Sequence, residues 1–111
     1  MERPELSISV ARTAREAVVS LAGEIDIVTT ARLNDAVAEL LTDPPPRIVV
    51  DMGGVTFCDS QGLGTLVVLS RKASTAQSVL VLTNVADFLL RVLDITGLRS
   101  ALMIRNEPVS G

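Results

Sequence analysis

The chain has 111 residues, of which 48% are hydrophobic and 21% charged, and its 13 acidic and 10 basic side chains give a formal net charge of −3. This length and hydrophobicity suffice for one core and exclude a disordered chain, while the acidic balance and the 2% aromatic content argue against nucleic-acid binding. Because it contains no histidine, the chain cannot form a Ser-His-Asp triad, a Cys-His pair or a zinc site of the usual type.

The first half of the chain predicts a hairpin, a helix and a buried strand. Residues 6–12 (LSISVAR) alternate apolar and polar side chains as a half-buried strand does, and residues 16–23 (EAVVSLAG) predict its partner after the short link TAR. From the threonine pair at 29–30, either of which can serve as N-cap, the apolar period becomes helical. The prolines of DPPP (43–46) end that helix, and RIVVDM (47–52) predicts a buried strand.

The second half predicts two further helix–strand pairs. Residues 62–76 have the length of a helix and are apolar around much of its circumference, which fits a core helix or, alternatively, a helix with a partner groove. Residues 78–83 (SVLVLT) predict a buried strand, and residues 85–98 repeat apolar side chains at helical spacing, with Gly97 as terminator. A last short strand is predicted at ALMI (101–104).

Strands that alternate with helices imply parallel crossovers, with the opening hairpin as an antiparallel edge. We therefore predict the α/β fold class, with a mixed, mostly parallel sheet. One domain is expected over residues 1–111, ending in a flexible tail at 105–111.

The composition also indicates a compartment. One cysteine, Cys58, excludes an internal disulfide and fits a reducing environment, and with no basic residue near it in sequence it is expected to be a small core residue rather than a redox sensor. No apolar run is long enough for a membrane span, and the first residues lack an apolar signal core. A soluble cytoplasmic domain is expected.

The stretch FCDSQGLG (57–64) concentrates the chemistry of the chain. It places Ser60 at the start of a predicted helix, where free amides and the helix dipole favour an anion, and either Asp59 or Ser60 can be the N-cap. Gly62 and Gly64 keep the first turn free of bulk. The stretch lacks the first glycine of a G-x-S-x-G elbow, and neither a dinucleotide fingerprint nor a Walker lysine lines up, so a hydrolase or nucleotide loop is disfavoured.

Four stretches together identify a family. FCDSQGLGTLV resembles the D-S-x-G-L signature of bacterial anti-sigma factor antagonists, which are STAS domain proteins. The stretches LAGEIDIVTTARL (21–33), IVVDMGGVTFCDS (48–60) and LLRVLDITGL (89–98) agree with that family in order and spacing. The resemblance covers nearly the whole chain.

The resemblance implies a binding protein rather than an enzyme, with no catalytic residue, metal or cofactor of its own. A member of this family captures an anti-sigma factor that is also a serine kinase and thereby frees a sigma factor. The kinase supplies ATP and magnesium and phosphorylates the serine after the aspartate, here Ser60, and a phosphatase reverses the step. Relatives often have Ser or Thr at the next position, whereas this chain has Gln61, which leaves one hydroxyl in the motif.

The resemblance further implies a set of partner-binding residues at the ends of two neighbouring strands. They are Asp26, Thr29, Asp59, Ser60, Gln61, Gly62, Leu63 and Gly64.

Some alternatives stay open on sequence alone. Asp26 either contacts a basic residue of the kinase or is a solvated or capping carboxylate, and Asp59 either positions the Ser60 hydroxyl or only caps its helix. A magnesium site formed by Asp51 and Asp59, as in a receiver domain, is a minor possibility. The second functional hypothesis is a STAS module that binds a nucleotide or other small anion near Ser60, and the third is an enzyme.

Overall fold

Five strands and three α-helices follow one another along residues 6–106, the part of the chain that the computed structural model describes. In chain order they are β1 (Ser7–Arg12), β2 (Glu16–Ile25), α1 (Thr30–Leu40), β3 (Arg47–Cys58), α2 (Ser60–Thr75), β4 (Val79–Thr83), α3 (Asp87–Thr96) and β5 (Met103–Ile104), with a 3-10 turn at Leu98–Ala101 before β5.

The strands form one sheet in the order β1-β2-β3-β4-β5. Only β1 and β2 are antiparallel, and β2, β3, β4 and β5 pair in parallel, which confirms the predicted fold class and the opening hairpin. The hairpin turn is closed by Thr13, whose amide donates to the Glu16 carbonyl (2.8 Å) and whose hydroxyl oxygen accepts from the Arg15 and Glu16 amides. No helix in residues 6–106 is long and apolar enough to cross a membrane.

All three helices lie on one face of the sheet. Each crossover advances by one strand in the same direction, so right-handed connections bring every helix to the same side. The burial pattern agrees, because alternate strand residues join the helices in a single aliphatic core while the residues between them face the other side. That core includes Val19, Leu21, Ile48, Val50, Met52, Leu80 and Leu82 from the strands, and Leu33, Val37, Leu66, Leu69, Leu89 and Leu93 from the helices.

The helix boundaries follow from local chemistry. Three prolines separate α1 from β3, and Gly97 ends α3 with a left-handed φ of 75°, as predicted from the sequence. Helix α2 contacts β3, β4 and α1, and leaves Val68 on its outer side 45% exposed.

Strand β3 is longer than the sequence predicted. We expected it to end at residue 52, but it continues to Cys58 because the segment from Gly54 onward pairs with β2 through two irregularities in register. A Cβ on Gly54 would lie 2.8 Å from the Leu21 carbonyl oxygen, so only glycine allows this close approach of the strands. As a result Asp59 alone separates β3 from α2, and Ser60 lies directly at the end of the sheet.

The first residues after β5 are fixed to the fold by hydrogen bonds. The Arg105 amide donates to the Leu82 carbonyl (2.8 Å), and the Asn106 side chain exchanges two hydrogen bonds with the Val85 backbone (2.7 and 2.9 Å). The predicted tail at 105–111 thus begins with two hydrogen-bonded residues, and residues 107–111 lie outside the described part of the chain.

Candidate functional site

The parallel strands β2 and β3 end side by side, at Ile25 and Cys58, which are register partners. The next residue, Asp59, donates its amide to the Ile25 carbonyl (3.1 Å), and its carboxylate Oδ1 accepts from the Gly62 amide (2.8 Å). Asp59 is thus the N-cap of α2, and Ser60 is its exposed first residue. We call this end of the molecule, with residues 24–29 and 57–64, the tip.

The first turn of α2 is held tightly against the sheet. A Cβ on Gly62 would lie 2.8 Å from both the Cys58 sulfur and the Ile25 Cγ2, so this position accepts only glycine without movement. Leu63 is 3% exposed and belongs to the core. Gln61 is exposed, and a Cβ on Gly64 would meet nothing within 4 Å. Of the residues predicted to bind a partner, Gly62 and Leu63 therefore anchor the helix, while Ser60, Gln61 and Gly64 face outward.

Asp26 and Thr29 organise the loop between β2 and α1. The Asp26 Oδ1 accepts from the Val28 and Thr29 amides (2.9 and 3.0 Å), and the Thr29 hydroxyl accepts from the Asp26 amide and donates to the Glu24 carbonyl (both 2.9 Å). This reciprocal arrangement resembles a capping box. The Asp26 carboxylate thus caps the turn that precedes α1, and Thr29, which is 6% exposed, stabilises the loop rather than the helix end.

The structure adds three exposed apolar side chains to the tip that sequence reasoning missed. Ile27 and Val28 are 68% and 58% exposed, and Phe57 is 47% exposed although it lies within β3. The signal for the first two is the D-x-x-T spacing, because two residues enclosed by a capped turn must point outward. Phe57 faces solvent because the second irregularity in the β2–β3 register adds a residue to β3, so Phe57 no longer shares the buried face with Val55. A group of exposed apolar side chains bordered by polar residues is typical of a protein-binding surface.

Cys58 is a structural residue. Burial, and secondarily the charge of Asp59, raises the pKa of its thiol to about 12, so the thiol stays protonated at neutral pH. A protonated thiol is a poor nucleophile and metal ligand, which agrees with the predicted core role.

Asp51 and Asp59 do not form a shared magnesium site. The Asp51 Oδ1 accepts from the Gly53 amide (2.9 Å) and from the Asn84 side-chain amide (3.0 Å). Asp51 precedes Asp59 by eight residues along the extended strand β3, which corresponds to a separation of roughly 25 Å. Within residues 6–106 no three His, Cys, Asp or Glu side chains come close enough to hold a metal ion.

Comparisons of the sequence with a family model and with individual proteins indicate the same family. The family model described as "Mlab, STAS domain" matches residues 8–105. The anti-sigma-F factor antagonist RsfB of Mycobacterium tuberculosis is 38% identical over 73 residues, which is 65% of this chain and 60% of that protein. The anti-sigma-B factor antagonist of Listeria monocytogenes is 33% identical over 88 residues, 79% of this chain and 77% of the relative.

The fold comparison agrees with the sequence comparison. The crystal structure of an anti-sigma factor antagonist from Mycobacterium paratuberculosis superposes with a TM-score of 0.80 at 27% identity, over 95% of this chain and 88% of that one. The family-model match over residues 8–105 includes the β2–α1 loop, the end of β3 and the start of α2, which together form the tip.

Proposed function

Because the chain belongs to the STAS domain family, we propose that it is an anti-sigma factor antagonist. In this role it is a cytoplasmic regulatory protein that binds an anti-sigma factor serine kinase through the tip and so releases a sigma factor. Phosphorylation of Ser60 by that kinase ends the interaction, and a phosphatase restores it. The chain needs no cofactor of its own, because the kinase supplies ATP and magnesium.

The observation that carries this proposal is the position of Ser60. As the exposed first residue of a helix whose cap is the neighbouring Asp59, it presents its hydroxyl at the outermost end of the sheet. A kinase can reach that hydroxyl without any movement of the core. The hydroxyls of the two threonines nearest to Ser60 in sequence are engaged, because Thr65 donates to the Gln61 carbonyl (2.9 Å) and Thr56 donates to the Gly23 carbonyl (3.3 Å).

The surroundings of Ser60 support protein binding. Ile27, Val28 and Phe57 offer apolar area, and burying a large apolar side chain contributes about 1.5–3 kcal/mol relative to leaving it exposed. The Asp26 carboxylate adds a negative charge beside this area, which suits a cationic side chain on the partner. The tip therefore combines apolar anchors, the Asp26 carboxylate and the modifiable hydroxyl.

A phosphate on Ser60 acts at the interface rather than on the fold. It adds about −1.5 to −2 charge at neutral pH and several acceptor oxygens, and the amides at the start of α2 can receive an anion. A partner surface shaped to a neutral hydroxyl must exclude this group or strip it of water, which is costly.

The test uses the purified full-length chain and the anti-sigma kinase encoded in the same genome, with binding measured by calorimetry. We expect a complex in the presence of ATP analogue, loss of that complex after incubation with ATP and Mg²⁺, and one phosphate mapped to Ser60. The S60A variant should bind and resist ATP, whereas the control T65A should behave like the native chain. Phosphate found at another residue, with Ser60 unmodified, would contradict the switch. Absence of kinase binding together with thermal stabilisation by nucleotide would instead favour an anion-binding module.

A further inference from the structure

The face of the sheet opposite the helices is the second large surface of the molecule. Because the three helices pack on one side, the strand residues between the core positions face outward; we call this side the open face. The register places Ala11, Val18, Val49, Val81 and Met103 beside one another in a row that crosses all five strands. This row is entirely apolar, although it lies on the side of the sheet that no helix of the described chain covers.

A groove lies at the β4–β5 end of this row. Its volume is about 290 Å³, and its lining consists of Pro46, Arg47, Val79, Val81, Met103 and Arg105. Val81 forms the floor at 2% exposure, and Val79 and Met103 rise beside it at 46% and 45%. The groove therefore has an apolar floor and two long cationic side chains at its rim.

The two rim arginines lie in different rows of the open face. Arg47 is in the row of Val79, on one side of Val81, and Arg105 lies next to Thr83, on the other side, where its carbonyl accepts from the Thr83 hydroxyl (2.9 Å). Among residues 6–106, ion pairs within 4.0 Å join Arg12 to Asp43 and Arg99 to Asp94, and neither rim arginine has one. Even Glu16, the register partner of Arg47, does not form such a pair. Two cations thus flank an apolar floor in a protein whose net charge is −3.

We propose that this groove docks an acidic peptide segment of a partner protein, with an apolar side chain over Val81 and carboxylates at Arg47 and Arg105. Charge complementarity carries this choice, because arginine pairs with carboxylates in a planar, two-bond geometry. The groove volume lies at the lower limit of small-molecule pockets, which measure about 300–1,000 Å³, and it has room for an inserted side chain. Two arginines are also fewer than the roughly 4–8 basic residues that recruit a protein to an anionic membrane.

The groove and the tip are separate sites. Beyond Asp51, its last position paired with β4, strand β3 continues from Met52 to Cys58 before it reaches the tip, roughly 20 Å away. A segment in the groove leaves Ser60 exposed, so both sites can be occupied at once. The inference therefore stands whether or not the tip binds an anti-sigma factor.

The test is an NMR titration of the full-length chain with three capped hexapeptides. The acidic probe is Glu-Glu-Leu-Phe-Glu-Glu; the second replaces each Glu with Lys, and the third replaces Leu-Phe with Ser-Ser. We expect the acidic probe to shift the methyl signals of Val79, Val81 and Met103, and both other peptides to bind at least tenfold more weakly. The double variant R47Q/R105Q should lose at least tenfold in affinity for the acidic probe, whereas R71Q/R91Q, which removes the same charge from the helical side, should not.

Three results would overturn the proposal. One is equal binding of the acidic and basic peptides, and another is a set of shifts confined to the tip or absent throughout the titration. The third is binding to phosphatidylglycerol vesicles that depends on Arg47 and Arg105 without any shift from the acidic peptide, because that would identify the groove as a membrane contact.

Discussion

The backbone amide of Asp59 donates a 3.1 Å hydrogen bond to the carbonyl of Ile25, and this bond joins the two segments of the tip. Ile25 ends β2 and precedes Asp26, while Asp59 follows β3 and precedes Ser60. The bond therefore holds Asp26 and Ser60, the next residues of the two segments, at the same end of the sheet. Any change that separates these segments should act on binding and stability together, whereas changes to outward side chains should act on binding alone.

The first prediction concerns Gly62, which lies under this bond. In G62A the new Cβ meets the Cys58 sulfur and the Ile25 side chain at 2.8 Å and the Ile25 carbonyl oxygen at 3.0 Å. Overpacking of this kind costs about 1–3 kcal/mol, and we expect a loss of that size in the free energy of unfolding, measured in urea. The matched control is G64A, whose Cβ meets nothing within 4 Å and which should be neutral or stabilising by up to about 1 kcal/mol. Equal stability of the two variants would disprove the close packing of the first turn.

The second prediction separates the two roles of Asp26. D26N keeps a side-chain oxygen for the Val28 and Thr29 amides, so these two hydrogen bonds should persist, while its affinity for the kinase should fall by up to about 1 kcal/mol and lose salt dependence. D26A also removes the acceptor and should cost about 1 kcal/mol of stability. Chemical denaturation and a salt titration of binding measure the two effects. If D26N binds as well as the native chain at every salt concentration, Asp26 has only the structural role.

The third prediction tests the apolar part of the tip with a pair of phenylalanines. Phe57 and Phe88 are 47% and 45% exposed, so replacing either with serine removes a similar partly buried apolar surface and should lower stability by a similar amount. F57S should weaken kinase binding by at least tenfold, or ~1.4 kcal/mol, because an aromatic anchor is lost from the interface. F88S, on α3 and outside the residues of the tip, serves as the control. If F88S weakened kinase binding more than F57S, the interface would lie near α3 and the proposed interface at the tip would be wrong.

The fourth prediction concerns the buried thiol. The pKa of Cys58 is raised from 9.0 to about 12, so folding favours the protonated thiol. Its contribution to stability is then complete below pH 9 and is lost as the pH rises from 9 towards 12, where only the unfolded chain ionises. Urea unfolding at a series of pH values should show this decline in the native chain and a smaller one in C58A. At pH 8 iodoacetamide should modify the thiol in urea much faster than in the folded protein, and equal rates would contradict the raised pKa.

Much of the fold was predictable because the spacing of hydrophobic residues along the chain is a local property of the sequence. The hairpin, three helices and alternating strands were each visible in windows of six to fifteen residues, and the βαβ order then required a mostly parallel sheet. The end of β3 was missed because GGVTFC has two glycines and no clean alternation; its pairing comes from β2, which lies far back in the sequence. Extension of the strand is a tertiary effect that no local pattern shows.

The same distinction between local and tertiary effects applies to the functional surfaces. Ser60 and its cap were predictable from a short motif, and Asp26 from a second one. The exposure of Phe57 depends on an irregularity in register, and the groove between Arg47 and Arg105 depends on three strands being placed side by side. Residues that meet only across the sheet carry no joint signal in a single sequence.

The last prediction concerns the physical action of a phosphate on Ser60. The new charge lies at the first residue of α2, where exposed amides and the helix dipole favour an anion, but the Asp59 carboxylate, which caps the Gly62 amide at 2.8 Å, repels it. These two effects oppose each other within the domain, and Ser60 itself is exposed, so no buried contact has to break.

We therefore expect phosphorylation to change the melting temperature by no more than the few degrees that ~1 kcal/mol represents for a domain of this size. Affinity for the kinase should nevertheless fall at least tenfold, or ~1.4 kcal/mol, because at the interface the dianion must be stripped of water against a surface shaped for a hydroxyl. Amide chemical shifts of the two forms decide between occlusion and refolding. Changes limited to the residues around Asp59, Ser60 and the first turn of α2 indicate occlusion, and the S60A form should show none of them on incubation with kinase and ATP. Changes that spread through β2, β3 and β4 would mean that the phosphate alters the sheet, and a switch acting at the surface alone would then be wrong.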